Sequence, residues 1–196
     1  MAPTDRDFIT VVSGLPRSGT SMIMRMLESG GLPLVTDGIR QADDDNPRGY
    51  YEYEPVKRLD KDASWLKDTY HKAIKIIYIL LYHLPSNHRY KVIFLRRSLD
   101  EVVASQKVML RNRQQQGRLD DEQLIESYHH QLNRLYTWIK HQPNFEIIYL
   151  DYEEVVSEPP KAVFDIVGFL GLPLDTGAMV SSVEPELYRR RSQALL

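Results

Sequence analysis

The residues best placed to do chemistry sit in one short run, Ser13-Gly-Leu-Pro-Arg-Ser-Gly-Thr-Ser21. Gly14 and Gly19 let the backbone come close to a ligand and turn its amides inward. Arg17 adds a full positive charge with a two-pronged reach, and Ser18, Thr20 and Ser21 add hydroxyl donors. That set suits a phosphate or a similar oxyanion. A Walker A loop would carry Gly-Lys-Ser/Thr after its second glycine. Here Gly19 is followed by Thr20 and Ser21, which counts against an ordinary ATPase or kinase.

The flanking elements must hold that run at a strand-to-helix junction. Phe8-Ile-Thr-Val-Val12 is apolar and β-branched, the signature of a strand buried on both faces. An apolar helix is expected over 20–29, stopped by Gly30-Gly31, and a short second strand at 32–35. The polar stretch 36–53 reads as a loop. A helix is expected over 55–67, a strand at 73–77, a short helix at 78–83 and a central strand at 91–96. The next helix opens with Ser98-Leu-Asp-Glu101, a capping box. Its apolar stripe is broken only by Gln106. Residues 111–118 read as a polar link, 121–142 as a long amphipathic helix and 145–150 as the last strand. Helices at 152–156 and 160–170 follow, then a loose basic tail with its end at 189–196. Strands alternating with helices predict a single α/β domain over 1–196, with a mainly parallel sheet covered on both faces.

Composition bounds the partners. The 196 residues carry a net charge of −2, which argues against nucleic acid as the main partner. Between Pro85 and Arg118, however, eight Lys/Arg face two acids, a local excess suited to a small anion. No apolar run is long enough to span a membrane, and no secretory signal is read at the start. With no cysteine there is no disulfide or thiolate site, which fits a reducing, cytoplasmic setting. Asp43-Asp-Asp and Asp120-Asp-Glu lack the alternating spacing of a calcium loop, so no metal site is expected. Composition says nothing of oligomeric state.

Gly14-Leu-Pro16-Arg-Ser-Gly-Thr-Ser21 resembles the 5′-phosphosulfate loop of sulfotransferases that use 3′-phosphoadenosine 5′-phosphosulfate (PAPS), particularly the bacterial type. That family binds the 3′-phosphate with a strand-end arginine and a serine eight residues later. Phe94-Leu-Arg-Arg-Ser-Leu-Asp-Glu-Val-Val-Ala-Ser105 offers Arg97 and Ser105 at that spacing, with Arg96 as the rival arginine. Ser98 and Leu99 depart from the acid or Asn, often followed by proline, usual after the arginine. Tyr149-Leu-Asp-Tyr-Glu-Glu-Val155 and Phe169-Leu-Gly-Leu-Pro173 resemble the family's C-terminal strand, loop and helix.

The resemblance implies a P-loop-type fold, PAPS as co-substrate without a metal, and sulfuryl transfer to a small-molecule hydroxyl or, second, an amine. Asn46-Pro-Arg-Gly-Tyr-Tyr-Glu-Tyr-Glu54 resembles the segment that brings a glutamate near the acceptor. Glu52 fits the general base best, and Glu54 follows on the same face of an extended segment. A histidine base remains an alternative, although none of the six histidines sits in a matching motif. Arg17 and the loop amides would neutralise the leaving phosphate. Arg189-Arg-Arg191 could add contacts to the nucleotide. Two other readings stand beside this one: a small-molecule or nucleotide kinase, and a non-catalytic nucleotide-binding protein.

Overall fold

A computed structural model describes residues 7–43, 46, 49–112 and 120–184. Five strands form one sheet in the order β2-β3-β1-β4-β5. They are β1 (Ile9–Gly14), β2 (Leu34–Val35), β3 (Ala73–Lys75), β4 (Tyr90–Arg96) and β5 (Phe145–Asp151). Every pairing is parallel, in register from Ile9 against Tyr90 to Gly14 against Leu95 and from Tyr90 against Phe145 to Arg96 against Asp151. Among the described residues the α-helices are α1 (Thr20–Ser29), α2 (Leu99–Asn112), α3 (Asp121–Ile139), α4 (Tyr152–Ser157), α5 (Pro159–Leu170) and α6 (Thr176–Ser181).

Side-chain alternation along β1 explains the two cores. Phe8 and Val12 point to the layer of α1, α4, α5 and α6, where Ile23, Leu27, Val163 and Ile166 meet them. Ile9 and Val11 point to the other layer, with Phe94, Val103, Leu135 and Ile139. A strand that feeds both cores is buried along its whole length, as β1 is, with Ile9, Val11 and Val12 apolar and the small polar Thr10 and Ser13 buried beside them. The sheet and its two helical layers bear out the α/β expectation.

One local expectation is corrected. The single helix over 55–67 is two 3₁₀ turns, Glu54–Arg58 and Ser64–Asp68. Between them Asp62 accepts from the Ser64 amide, and its carbonyl holds the Trp65 indole, which ends one turn and starts the next. A short helix not expected from the sequence, α6, follows Pro173 and is capped by Asp175 accepting from the Ala178 amide. The short helix expected at 78–83 is present as a 3₁₀ helix, Tyr78–His83. Gln106 interrupts the stripe of α2 for a reason: its amide oxygen accepts the Tyr128 hydroxyl of α3 at 2.7 Å. The end of the basic stretch, Arg113 and Arg118, and the tail with Arg189–Arg191 lie outside the described residues.

Candidate active site

The carboxyl ends of β1 and β4 lie side by side, where the chain turns from one half of the sheet to the other, the usual crevice of such sheets. The loop from Gly14 to Gly19 hangs over this edge. Gly14 is at φ 153, and a Cβ there would stand 2.5 Å from Ser18 Oγ and 2.6 Å from the Leu95 carbonyl. Gly19, at φ 97, starts α1 with no side-chain cap, and a Cβ there would overlap the Tyr152 ring. Only glycine fits either place. The uncapped helix start leaves amides and their partial positive charge for an anion. Ser18 Oγ is buried with no hydrogen-bond partner, a donor that an anionic oxygen in this loop would satisfy.

Both predicted phosphate elements arrive here. Arg17 Nε donates to Ser105 Oγ on α2 at 3.0 Å. Arg97 Nη1 donates to the Arg17 carbonyl at 3.1 Å, its Nε donates to Glu101 Oε2 at 2.8 Å, and its guanidinium lies 4.4 Å over the Tyr152 ring. Glu101, assigned by sequence to a capping box, thus turns a carboxylate oxygen to Arg97. Arg96 goes elsewhere. It forks onto Asp151 at 2.9 and 2.6 Å across the β4–β5 register, half exposed, over Tyr149.

A second cluster stands beside the start of α1. Lys75, at the end of β3, donates to the Tyr50 carbonyl and reaches Ser21 Oγ at 3.4 Å. Asn46 Nδ2 also donates to Ser21 Oγ, at 3.0 Å. Burial lowers the Lys75 ammonium to about 8, Glu52 opposes that shift, and Arg40 and Arg17 add to it. Glu52 accepts from Arg40 Nη1 at 2.5 Å, and the Arg40 guanidinium lies 3.2 Å over the Tyr50 ring. Tyr50 is buried, its hydroxyl donates to Asp43 at 2.6 Å, and burial with that contact raises its pKa.

Glu54 is not part of this cluster. Its carboxylate pairs with Lys57 at the surface, while its amide donates to Asp37. His71 and His88 precede β3 and β4 at the opposite edge of the sheet; His71 pairs with Asp7, and His88 meets Tyr70. Lys75, Arg40 and Asn46 were not singled out from sequence. A lone lysine in the apolar run 73–84 was the one available signal, since a charge inside a strand needs a reason. Among the described residues no three His, Asp or Glu side chains are grouped to hold a metal, and no helix is long and apolar enough to cross a membrane.

A sequence profile described as the Sulfotransferase family matches residues 50–176, more than half of the chain. The chain belongs to that family. No curated protein matches it. Among solved structures, the sulfotransferase domain of the Synechococcus PCC 7002 olefin synthase is 16% identical, with a TM-score of 0.55 over 96% of this chain and 82% of that one. The sulfotransferase domain of the curacin biosynthetic pathway is 16% identical, with a TM-score of 0.55 over 90% of this chain and 78% of that one. A Mycobacterium avium sulfotransferase is 13% identical, with a TM-score of 0.55 over 97% of this chain and 70% of that one. At these identities the likeness carries the fold. The sulfotransferase profile begins at Tyr50, so the loop at Ser13–Ser21 is read from its own geometry.

Proposed function

We propose that this sulfotransferase moves a sulfuryl group from PAPS to a hydroxyl of a small-molecule acceptor, with an amine as the second choice. The observation that carries the reading is the meeting of Arg17, Arg97 and Ser105, since Arg97 and Ser105 come from 80 and 88 residues away. A loop that cradles one phosphate, beside an arginine and a serine suited to another, favours a ligand phosphorylated at two places.

Bound there, PAPS supplies the sulfur: its bond to the 5′-phosphate oxygen breaks as the acceptor oxygen bonds to it, releasing adenosine 3′,5′-bisphosphate. The loop amides, Arg17 and the Ser18 hydroxyl stabilise the charge gathering on the 5′-phosphate. Thr20 and Ser21 lie at the same helix start and add hydroxyl donors, and Pro16 shapes the turn. Arg97 and Ser105 hold the 3′-phosphate. Lys75 brings a second cation beside Ser21, where the sulfuryl oxygens need one. Glu52 takes the acceptor proton, oriented by Arg40, and Glu54 is second choice for that role.

Two measurements test this. Adenosine 3′,5′-bisphosphate should raise the melting temperature well above any effect of ATP with magnesium, and labelled PAPS should transfer label into some acceptor of a metabolite pool. Stabilisation by ATP with magnesium alone would favour a kinase. Nucleotide binding without label transfer to any acceptor would favour a non-catalytic nucleotide-binding protein.

A further inference from the structure

The turn that opens the phosphate loop runs against local preference. The Ser18 amide donates to the Leu15 carbonyl at 3.1 Å, which places Pro16 second and Arg17 third in a four-residue turn. Proline keeps a negative φ at the second place, while Arg17 has φ 70. That combination is the type II turn, whose third place favours glycine or asparagine. An arginine there is strained and persists only where its surroundings hold it.

Those surroundings are a short chain of contacts. The Arg17 carbonyl accepts from Arg97 Nη1 at 3.1 Å, and Arg97 Nε is fixed by Glu101 at 2.8 Å. The Arg97 and Glu101 side chains are only 9% and 5% exposed. Glu101 belongs to the first turn of α2, a rigid anchor that suits a carboxylate. The Tyr152 ring closes the remaining face of the Arg97 guanidinium.

We propose that Glu101 is the positioning residue of the phosphate loop. Acting through Arg97, it holds the Arg17 peptide in its left-handed turn, so anion affinity at the loop depends on a carboxylate that touches no ligand. The proposal rests on the reading of this loop as the 5′-phosphosulfate site. Were Glu101 only a counter-ion, its loss would weaken the 3′-phosphate contact and leave the 5′ end alone. As a strut, it also supports the 5′ end.

The test uses calorimetry with adenosine 3′,5′-bisphosphate and with adenosine 5′-phosphate, which offers Arg97 no 3′-phosphate. Glu101→Ala and Arg97→Ala should each weaken adenosine 5′-phosphate by about tenfold, the scale of one lost hydrogen bond. The double variant should be no weaker than Arg97→Ala, because both act through one contact. Glu101→Gln keeps an acceptor oxygen, should stay within about threefold, and serves if Glu101→Ala fails to fold. Hydrogen exchange at the Ser18 and Gly19 amides gives a readout without any nucleotide: faster in Arg97→Ala, unchanged in Glu101→Gln. Unchanged adenosine 5′-phosphate affinity in Arg97→Ala, additive losses in the double variant, or a Glu101→Gln as weak as Glu101→Ala would overturn the proposal. A wild-type protein that fails to prefer the bisphosphate would instead remove the 3′-phosphate reading, and the exchange rates would still judge the strut.

Discussion

Arg17 Nε donates to Ser105 Oγ at 3.0 Å, which joins the loop after β1 to the second turn of α2 across 88 residues of sequence. The two groups therefore address one volume, and an anion placed between them meets both.

Arg17 should trade stability for binding. It is held at φ 70, so Arg17→Gly relieves strain and is expected to stabilise the fold by up to about 1 kcal/mol in a urea melt. The same change removes a charge-assisted contact worth about 1.5–3 kcal/mol, so affinity for adenosine 3′,5′-bisphosphate falls at least tenfold by calorimetry. A variant that gains stability and keeps affinity would exclude the side chain from the ligand.

Arg96 and Arg97 should separate cleanly. Arg96 forms a half-exposed fork with Asp151, so Arg96→Ala should cost less than about 1 kcal/mol of stability and leave nucleotide affinity unchanged. Arg97→Ala should lose the bisphosphate by tenfold or more, the scale of a lost charge-assisted contact. The reverse pattern in binding titrations would reassign the phosphate arginine.

Glu52→Gln should keep nucleotide affinity and lose about 10²–10⁴-fold in turnover, the usual share of a general base. Glu54→Gln, a change at a surface pair with Lys57, should stay within a few-fold. Single-turnover kinetics on both variants decides between them, and near-normal rates in both would turn attention to a histidine base.

Lys75 should take up a proton as an anion binds. Its ammonium sits at about 8 in the free protein, and a phosphate or sulfuryl group beside it would raise that value. Near pH 8.5, calorimetry in two buffers of different ionisation enthalpy should show uptake of up to about three-quarters of a proton per nucleotide, absent in Lys75→Met. Stability carries the same sign. The folded pKa lies below the unfolded value, so the unfolded chain binds more protons between about pH 8 and 10.5, and folding stability rises with pH there relative to Lys75→Met. Equal pH slopes for the two proteins would mean that Lys75 is not desolvated.

The strand, the loop and α1 were legible because local signals agreed: a doubly buried apolar run, two glycines at tight places, and a helix stopped by Gly30. The approach of Arg97 and Ser105 to that loop could be expected only from family resemblance, since spacing on β4 and α2 does not say which loop they face. Lys75 was hidden by its neighbours, because an apolar run with one lysine reads equally as a snorkelling surface residue. Arg40 and Asn46 were hidden in a polar loop, where composition cannot tell solvated groups from those folded back on Tyr50 and Ser21. The two 3₁₀ turns at Glu54–Asp68 escaped notice because aspartates such as Asp62 serve as helix residues and helix breakers alike.

One ammonium group in this fold has two allegiances. Lys75 holds the Tyr50 carbonyl, two residues before Glu52, and reaches the Ser21 hydroxyl at the head of α1. A ligand that claims Lys75 on the Ser21 side alters what secures the Tyr50 side. Reciprocity then requires that a ligand settling on the Tyr50 side change affinity on the Ser21 side by the same factor. Occupancy of the two sides is therefore coupled through the reach of one side chain, and a substitution at 75 should be felt in both binding constants together.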